Sequence, residues 1–378
     1  MSLNEACFDG DFDKIKQLVQ HGADVNQESR HGDYPPITDA TRHRRLEIVS
    51  FLLENGAAVD KTTQLKGHTA FYFACMHGFF DIAELLLKHG ADVNVSNTFD
   101  QTPLFHACSD GSINTVKFLV KRGGAQVNMV DREGDTPLLI ACRGLHIQVI
   151  QFLIENGADV NYTNRDGNPP LFYAITNRHF VMTKALVDGG ASFNHVWINR
   201  MSALYYACKH GLIHTATLLV EKGANVNQRD TLNQTPLFIA CHEGNDPIVH
   251  LLVKTGRAEI NLLDAREETP LFLACRAGRL SIMQFLIDNG ADVNAVNNKG
   301  ETALFFSTSF DHARLLILHG AYVCIQDKNG HRPGRFRKTI DEFDIRISMV
   351  HAVTGVNSAS GLSMLPVELI RSVCQMLY

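Results

Sequence analysis

A short start signal recurs along the chain at an almost constant period. It reads Thr69-Ala-Phe, Thr102-Pro-Leu, Thr136-Pro-Leu, Pro169-Pro-Leu, Ser202-Ala-Leu, Thr235-Pro-Leu, Thr269-Pro-Leu and Thr302-Ala-Leu, at intervals of 33, 34, 33, 33, 33, 34 and 33 residues. A period of this size marks stacked supersecondary units that bury their apolar faces only against one another. The 378 residues therefore need not divide into two or three globular domains, because a stack has no single core that must stop growing. The two longer intervals fall where GADVN becomes GGAQVN (Gly123 to Asn128) and GRAEIN (Gly256 to Asn261). Both are read as loop insertions that leave the helices in register.

Residues 134–161, GDTPLLIACRGLHIQVIQFLIENGADVN, show what one unit folds into. Thr136 is a helix N-cap, and Pro137 takes the first helical position, where its missing N–H costs nothing. Leu138 and Ala141 fall at helical spacing on a first helix, and Val149, Ile150, Leu153 and Ile154 on a second. Gly157 ends the second helix in a left-handed conformation. The following segment, Tyr162 to Asn168, turns back as a hairpin-like finger.

Units of this kind resemble the ankyrin repeat. The resemblance implies an all-α fold, a solenoid of helix-turn-helix repeats with β-hairpin-like fingers, over residues 1–353. The first repeat, Leu3-Asn-Glu-Ala-Cys to Gly22-Ala-Asp-Val-Asn26, lacks the start signal, as an N-terminal cap does. The second starts at Pro35-Pro36-Ile37. The ninth is damaged: Ala303 to Gly320 spans 17 residues where Pro103 to Gly123 spans 20, so its inter-helix turn is read as shortened by three. A tenth begins at Gly330-His-Arg-Pro333 and loses the pattern, which gives about nine repeats plus a degenerate tenth. The family usually places a histidine after Thr-Pro-Leu; this chain has Phe105, Leu139, Phe172, Tyr205, Phe238, Phe272 and Phe305 there. An apolar row at fixed spacing is expected to be packing.

Composition excludes several function classes. Seven of the nine cysteines (Cys7, Cys75, Cys108, Cys142, Cys208, Cys241 and Cys275) follow an alanine at one place in the unit. Equivalent positions on stacked repeats lie roughly 10 Å apart, beyond the limit of about 7 Å between disulfide Cα atoms. They are expected to be free thiols acting as small buried hydrophobes, and to form no zinc cluster. A net charge of -5 with mixed signs speaks against nucleic acid as a partner. No secretory signal opens the sequence and no long apolar run implies a membrane span, so a cytoplasmic monomer is expected. His210 and His242 occupy adjacent equivalent slots with no third ligand in position, so no metal is assigned. HExxH, GxSxG, P-loop and strand-borne GxGxxG motifs are absent, so no catalytic residue, cofactor or enzyme activity is assigned.

Partner binding is the expected function. In the ankyrin family the concave face comes from the finger tips and the exposed side of the first helix. That resemblance points to Phe99, Arg132, Arg165, Trp197 and Ile198 at the tips, and to Arg143, Lys209, His210, His242, Glu243 and Arg276 on the first helices. Leu232 and Arg266 are further tip residues, and Met76 and His77 lie on a first helix. Trp197, in the unusual tip Asn194-His-Val-Trp-Ile-Asn-Arg200, is a candidate interface anchor. The other placement folds it back onto the stack. The run Arg143, Lys209, His210, His242, Arg276 would make the groove centre mildly basic and suited to an acidic segment.

After Val353 the composition shifts. Residues 354–363 form a Gly/Ser-rich linker. Residues 364–378 then read as an amphipathic helix, with Leu365, Leu369, Val373 and Leu377 recurring every four residues. This piece resembles the opening of an F-box, matched by Leu365, Pro366, Glu368, Leu369, Ile370, Val373 and Leu377. It is much shorter than a complete F-box. Ankyrin proteins of poxviruses and of some intracellular bacteria carry a truncated F-box-like piece at the same place. The resemblance implies an adaptor, of the kind a pathogen delivers as an effector to a host cytosol, whose tail docks the Skp1 subunit of a cullin ubiquitin ligase. The alternative is an ankyrin scaffold or inhibitor whose tail caps the solenoid.

Overall fold

The computed structural model describes residues 2–27, 34–197, 201–255, 257–322 and 325–333. The chain forms two compact bodies, Met1–Ser192 and Phe193–Tyr378. The N-terminal body holds six helix pairs: Leu3–Asp9 with Phe12–Gln20, Pro36–Arg42 with Leu46–Glu54, Ala70–His77 with Phe80–Lys88, Pro103–Ser109 with Ile113–Lys121, Pro137–Arg143 with Ile147–Glu155, and Pro170–Thr176 with Phe180–Asp188. The C-terminal body adds Ala203–Lys209 with Ile213–Glu221, Pro236–Glu243 with Asp246–His250, Pro270–Arg276 with Leu280–Asp288, and a last pair. There the first member is only a 3₁₀ turn, Ala303–Phe306, before Phe310–Leu318. The architecture is the expected all-helical ankyrin-repeat solenoid. Strand pairing among the described residues is limited to an isolated bridge between Val196 and Ser202.

Local chemistry starts and stops each helix. Thr69, Thr136 and Ser202 accept hydrogen bonds on their hydroxyls from the backbone N–H groups of Tyr72, Leu139 and Tyr205, at 3.1, 3.3 and 3.2 Å. Such a cap satisfies a donor that the first turn leaves unpaired. Gly157, at φ 85°, closes its repeat's second helix where a side chain would be strained. The inward faces are buried throughout: Val149, Ile150 and Leu153 are at most 1% exposed, and burial of each such side chain contributes about 2 kcal/mol. All seven alanine-linked cysteines are buried free thiols. Phe105, Leu139, Phe238 and Phe272 are fully buried and Tyr205 is 5% exposed, while Phe172 and Phe305 are half-buried, so five of the seven residues that replace the usual histidines pack inside.

Three details differ from the sequence expectation. Counted from Leu3, the damaged repeat at Thr302 is the tenth helix pair, not the ninth, and one more finger, at residues 327–331, lies beyond it. Its three-residue deficit falls on the first helix itself, cut to one 3₁₀ turn, and not on the inter-helix turn, which keeps its ordinary length. The two insertions also differ. At Gly123 the extra residue sits after the helix, as expected; the second is taken up inside the second helix as a π-helical segment, Leu251–Thr255. In both, the alanine N–H still reaches the leucine carbonyl that regular repeats use: Ala158 to Leu153 at 3.0 Å, Ala125 to Leu119 at 3.0 Å, Ala258 to Leu252 at 2.9 Å. The register therefore survives both insertions.

Asparagine rungs tie neighbouring repeats together. Asn128 accepts from the Asp159 N–H (2.9 Å) and donates to the Gly157 carbonyl (3.0 Å). Asn26 and Asn161 do the same in the N-terminal body, and Asn261 and Asn294 in the C-terminal body. Asp60 stands in this slot between the second and third repeats. It accepts from the Asp92 N–H at 3.1 Å but has no donor to give.

Candidate functional site: the finger rim and first helices

The fingers are built on one side-chain device. A buried Asn or Asp five residues before the start signal accepts backbone N–H bonds from the residues two and four positions on. Asn97 takes Phe99 and Gln101 at 2.8 and 3.0 Å, and Asp264 takes Arg266 and Glu268 at 2.8 and 3.0 Å. These bonds close the loop and push the third finger residue outward. Side chains then match donor to acceptor between fingers: Gln101 donates to Asp131 (2.9 Å), Asn164 to Asp135 (3.1 Å), and Gln234 to Asp264 (3.1 Å).

Trp197 occupies that Asn/Asp slot in its finger, and this overturns its reading as an exposed anchor. It is 6% exposed, and its counterparts Asn97, Asp131, Asn164, Asp230 and Asp264 are similarly buried. Its N–H bonds the Met201 carbonyl at 2.9 Å, the same closure that Asn97 makes to Gln101. Its ring lies 5.3 Å from that of Tyr206. Ile198 and the tail set Leu365, Pro366, Glu368, Leu369, Ile370, Val373 and Leu377 lie outside the described residues.

The basic run on the first helices is weaker than its sequence suggests. Arg143 Nη1 sits 2.6 Å from the buried Asp135 carboxylate, and Arg276 Nη2 2.6 Å from buried Glu268. Each guanidinium also lies over an aromatic ring of the following repeat, Tyr173 at 5.9 Å and Phe306 at 4.5 Å. Both are therefore engaged by the scaffold, although their side chains stay 47% and 37% exposed. Arg42, in the same slot, lies 4.0 Å over Tyr34 and 5.5 Å over Phe73. Lys209 fills the slot in its own repeat, but Met201 replaces the acid, and the lysine is exposed. His242 Nδ1 is 3.3 Å from exposed Glu243. His210 is half-buried, 6.3 Å from the Tyr206 ring.

At the tips, Phe99 is 55% exposed and Arg165 is exposed. Arg132 Nε pairs with exposed Asp100 at 3.1 Å. The tip residues named from sequence end at Arg266 and omit exposed Lys299 and Lys328 on the next two fingers; the five-residue offset from the start signal locates the slot residue Asn297, and Lys299 follows two residues on. Among the described residues no group of three or more His, Cys, Asp or Glu side chains could hold a metal ion. No described helix is long and apolar enough to cross a membrane.

Tandem helix pairs bearing polar fingers define a repeat scaffold for protein interactions. A family model described as ankyrin repeats, in three copies, matches residues 3–97, 94–164, 159–230, 192–264, 214–297 and 237–327, so the chain belongs to the ankyrin-repeat family. The ankyrin repeat domain of Bcl-3, described as a unique member of the IκB protein family, is 25% identical with a TM-score of 0.53 over 59% of this chain and 100% of that one. The human ASB11 ankyrin repeat domain is 27% identical over 58% of this chain and 98% of that chain, with a TM-score of 0.49. Among curated proteins none matches in sequence.

Proposed function

We propose that the chain is a substrate-recruiting adaptor whose ankyrin surface holds a protein partner and whose C-terminal segment docks the Skp1 subunit of a cullin ubiquitin ligase. The observation that carries this reading is the motif Leu365-Pro-Val-Glu-Leu-Ile370 with Val373 and Leu377, placed after an ankyrin array. Phe99, Arg132, Arg165, Lys209, His210, His242 and Glu243 are the partner-facing residues of the proposal; Arg143 and Arg276 contribute through the scaffold. We place the protein in the cytosol, a host cytosol if it is an effector. The test is capture by immobilised Skp1 of the full chain against a chain stopped at Gly361. The full chain should bind and the shortened one should not; equal capture, or none by either, removes the ligase reading. If the tail only caps the stack, the shortened chain should instead melt at markedly lower temperature.

A further inference from the structure

Cations are concentrated on one edge of the C-terminal body. Three consecutive fingers present Arg266, Lys299 and Lys328, all exposed. Backbone hydrogen bonds hold these fingers in a row: Ala265 N–H to the Leu232 carbonyl (2.9 Å), Asn298 N–H to Arg266 (3.1 Å) and Lys328 N–H to Lys299 (2.8 Å). The acids at the finger bases are already engaged. Asp264 accepts from Gln234, Glu268 holds Arg276, Glu301 accepts from Asn297, and Asp327 holds His331. Glu267 is an exposed acid beside the row. In the N-terminal body the tip cation Arg132 is paired with Asp100, and Arg165 and Lys66 are exposed finger cations on other repeats.

We propose that Arg266, Lys299 and Lys328 form the docking edge for an acidic, extended protein segment with a carboxylate at every third residue. This rests on reading the chain as a protein-binding scaffold and names what one part of it binds. The spacing favours such a segment. Successive repeats come at roughly 10 Å. A polyproline II segment has three residues per turn and rises about 3.1 Å per residue, so every third side chain points the same way about 9 Å further on. Acids at that period meet one finger cation each. Single-stranded nucleic acid fits less well: it carries a charge at every nucleotide, and the three fingers carry no Phe, Tyr or Trp for bases to stack on.

The test uses the full chain and a fluorescein-labelled peptide of about five Glu-Pro-Ala triplets, which favour the polyproline II form, with binding read by anisotropy at low salt. The peptide should bind, and R266E/K299E/K328E should weaken it about tenfold or more, the summed effect of three exposed ion pairs. A peptide of the same composition with contiguous glutamates should bind several-fold more weakly. Binding should vanish near 1 M salt, where the screening length is about 3 Å. Equal affinity of wild type and the reversed variant, equal affinity for the contiguous peptide, or tighter binding of a single-stranded oligonucleotide of matched charge would each overturn the proposal. R266Q/K299Q/K328Q, checked by circular dichroism, should show a smaller loss and guards against misfolding of the reversed chain. Skp1 capture depends on residues after Gly361 and is read separately, so each proposal can fail without the other.

Discussion

The Arg143 guanidinium lies 2.6 Å from the carboxylate of Asp135, eight residues earlier at the foot of the same repeat's finger. Asp135 is 1% exposed and also accepts from Asn164 of the next finger, so one carboxylate joins finger, first helix and neighbour. Burial raises its pKa, while Asn164 and Arg143 act the other way. Arg143→Met keeps the aliphatic stem and removes the charge. It should destabilise by about 2 kcal/mol, the usual effect of losing a charged hydrogen bond to a buried group, discounted for Arg143 being half exposed. Urea unfolding measures it; a loss below about 0.5 kcal/mol would make the pair a surface ion pair of ordinary weakness.

Asp60 interrupts the asparagine rungs. Asp60→Asn supplies the missing amide donor toward Gly90, the carbonyl that corresponds to Gly157 beside Asn128, and should stabilise the chain by about 1 kcal/mol. The pH dependence fixes the sign. Burial is the largest cause raising the Asp60 pKa; the hydrogen bond from the Asp92 N–H acts the other way, and the Asp92 charge adds to the rise. The folded carboxyl therefore holds its proton more tightly than the unfolded one, and its ionisation weakens the folded state. The advantage of D60N should be full at neutral pH and shrink as acid protonates Asp60. Melting temperatures of the two chains across the acid range check this.

His68 stacks on Tyr72 at a centroid distance of 4.0 Å, and its Nε2 is 3.3 Å from Asn97 Nδ2. Burial is the main cause that lowers its pKa from 6.5 to about 4, with Lys66 and His106 adding to it. The unfolded chain then binds more protons between those values, so stability rises with pH in that window. The neutral ring's contribution is complete above about pH 6.5 and is lost as pH falls toward 4. His68→Gln should flatten this part of the melting profile. An unchanged acid limb would place the titration elsewhere.

The repeat was legible because its signals are local: Thr136 caps, Pro137 starts and Gly157 stops a repeat, each from short-range sterics and hydrogen bonding. What sequence left hidden depends on partners brought in from a distance. Arg143 and Arg276 read as free groove cations because their acids, Asp135 and Glu268, lie eight residues back, where the finger folds down onto the helix. The insertion before Ala258 reads as loop because a π-helical turn has the same composition as an α-helical one. Lys299, by contrast, could have been found by carrying the five-residue offset through one more finger, to Asn297, and stepping two residues on to the tip.

The same offset decides Trp197. It falls five residues before Ser202, where other fingers bury an Asn or Asp. The slot, and not the residue's apolar character, sets its exposure at 6%. Trp197→Ala should therefore cost about 3 kcal/mol, as truncation of a buried aromatic does. Trp197 is the only tryptophan in the chain, so its emission reports on this one finger. Native emission should be blue-shifted, move red on unfolding, and stay in place when a partner binds the exposed tips. If W197A melts like the wild type and a bound partner shifts the emission, the ring faces solvent and the anchor reading returns.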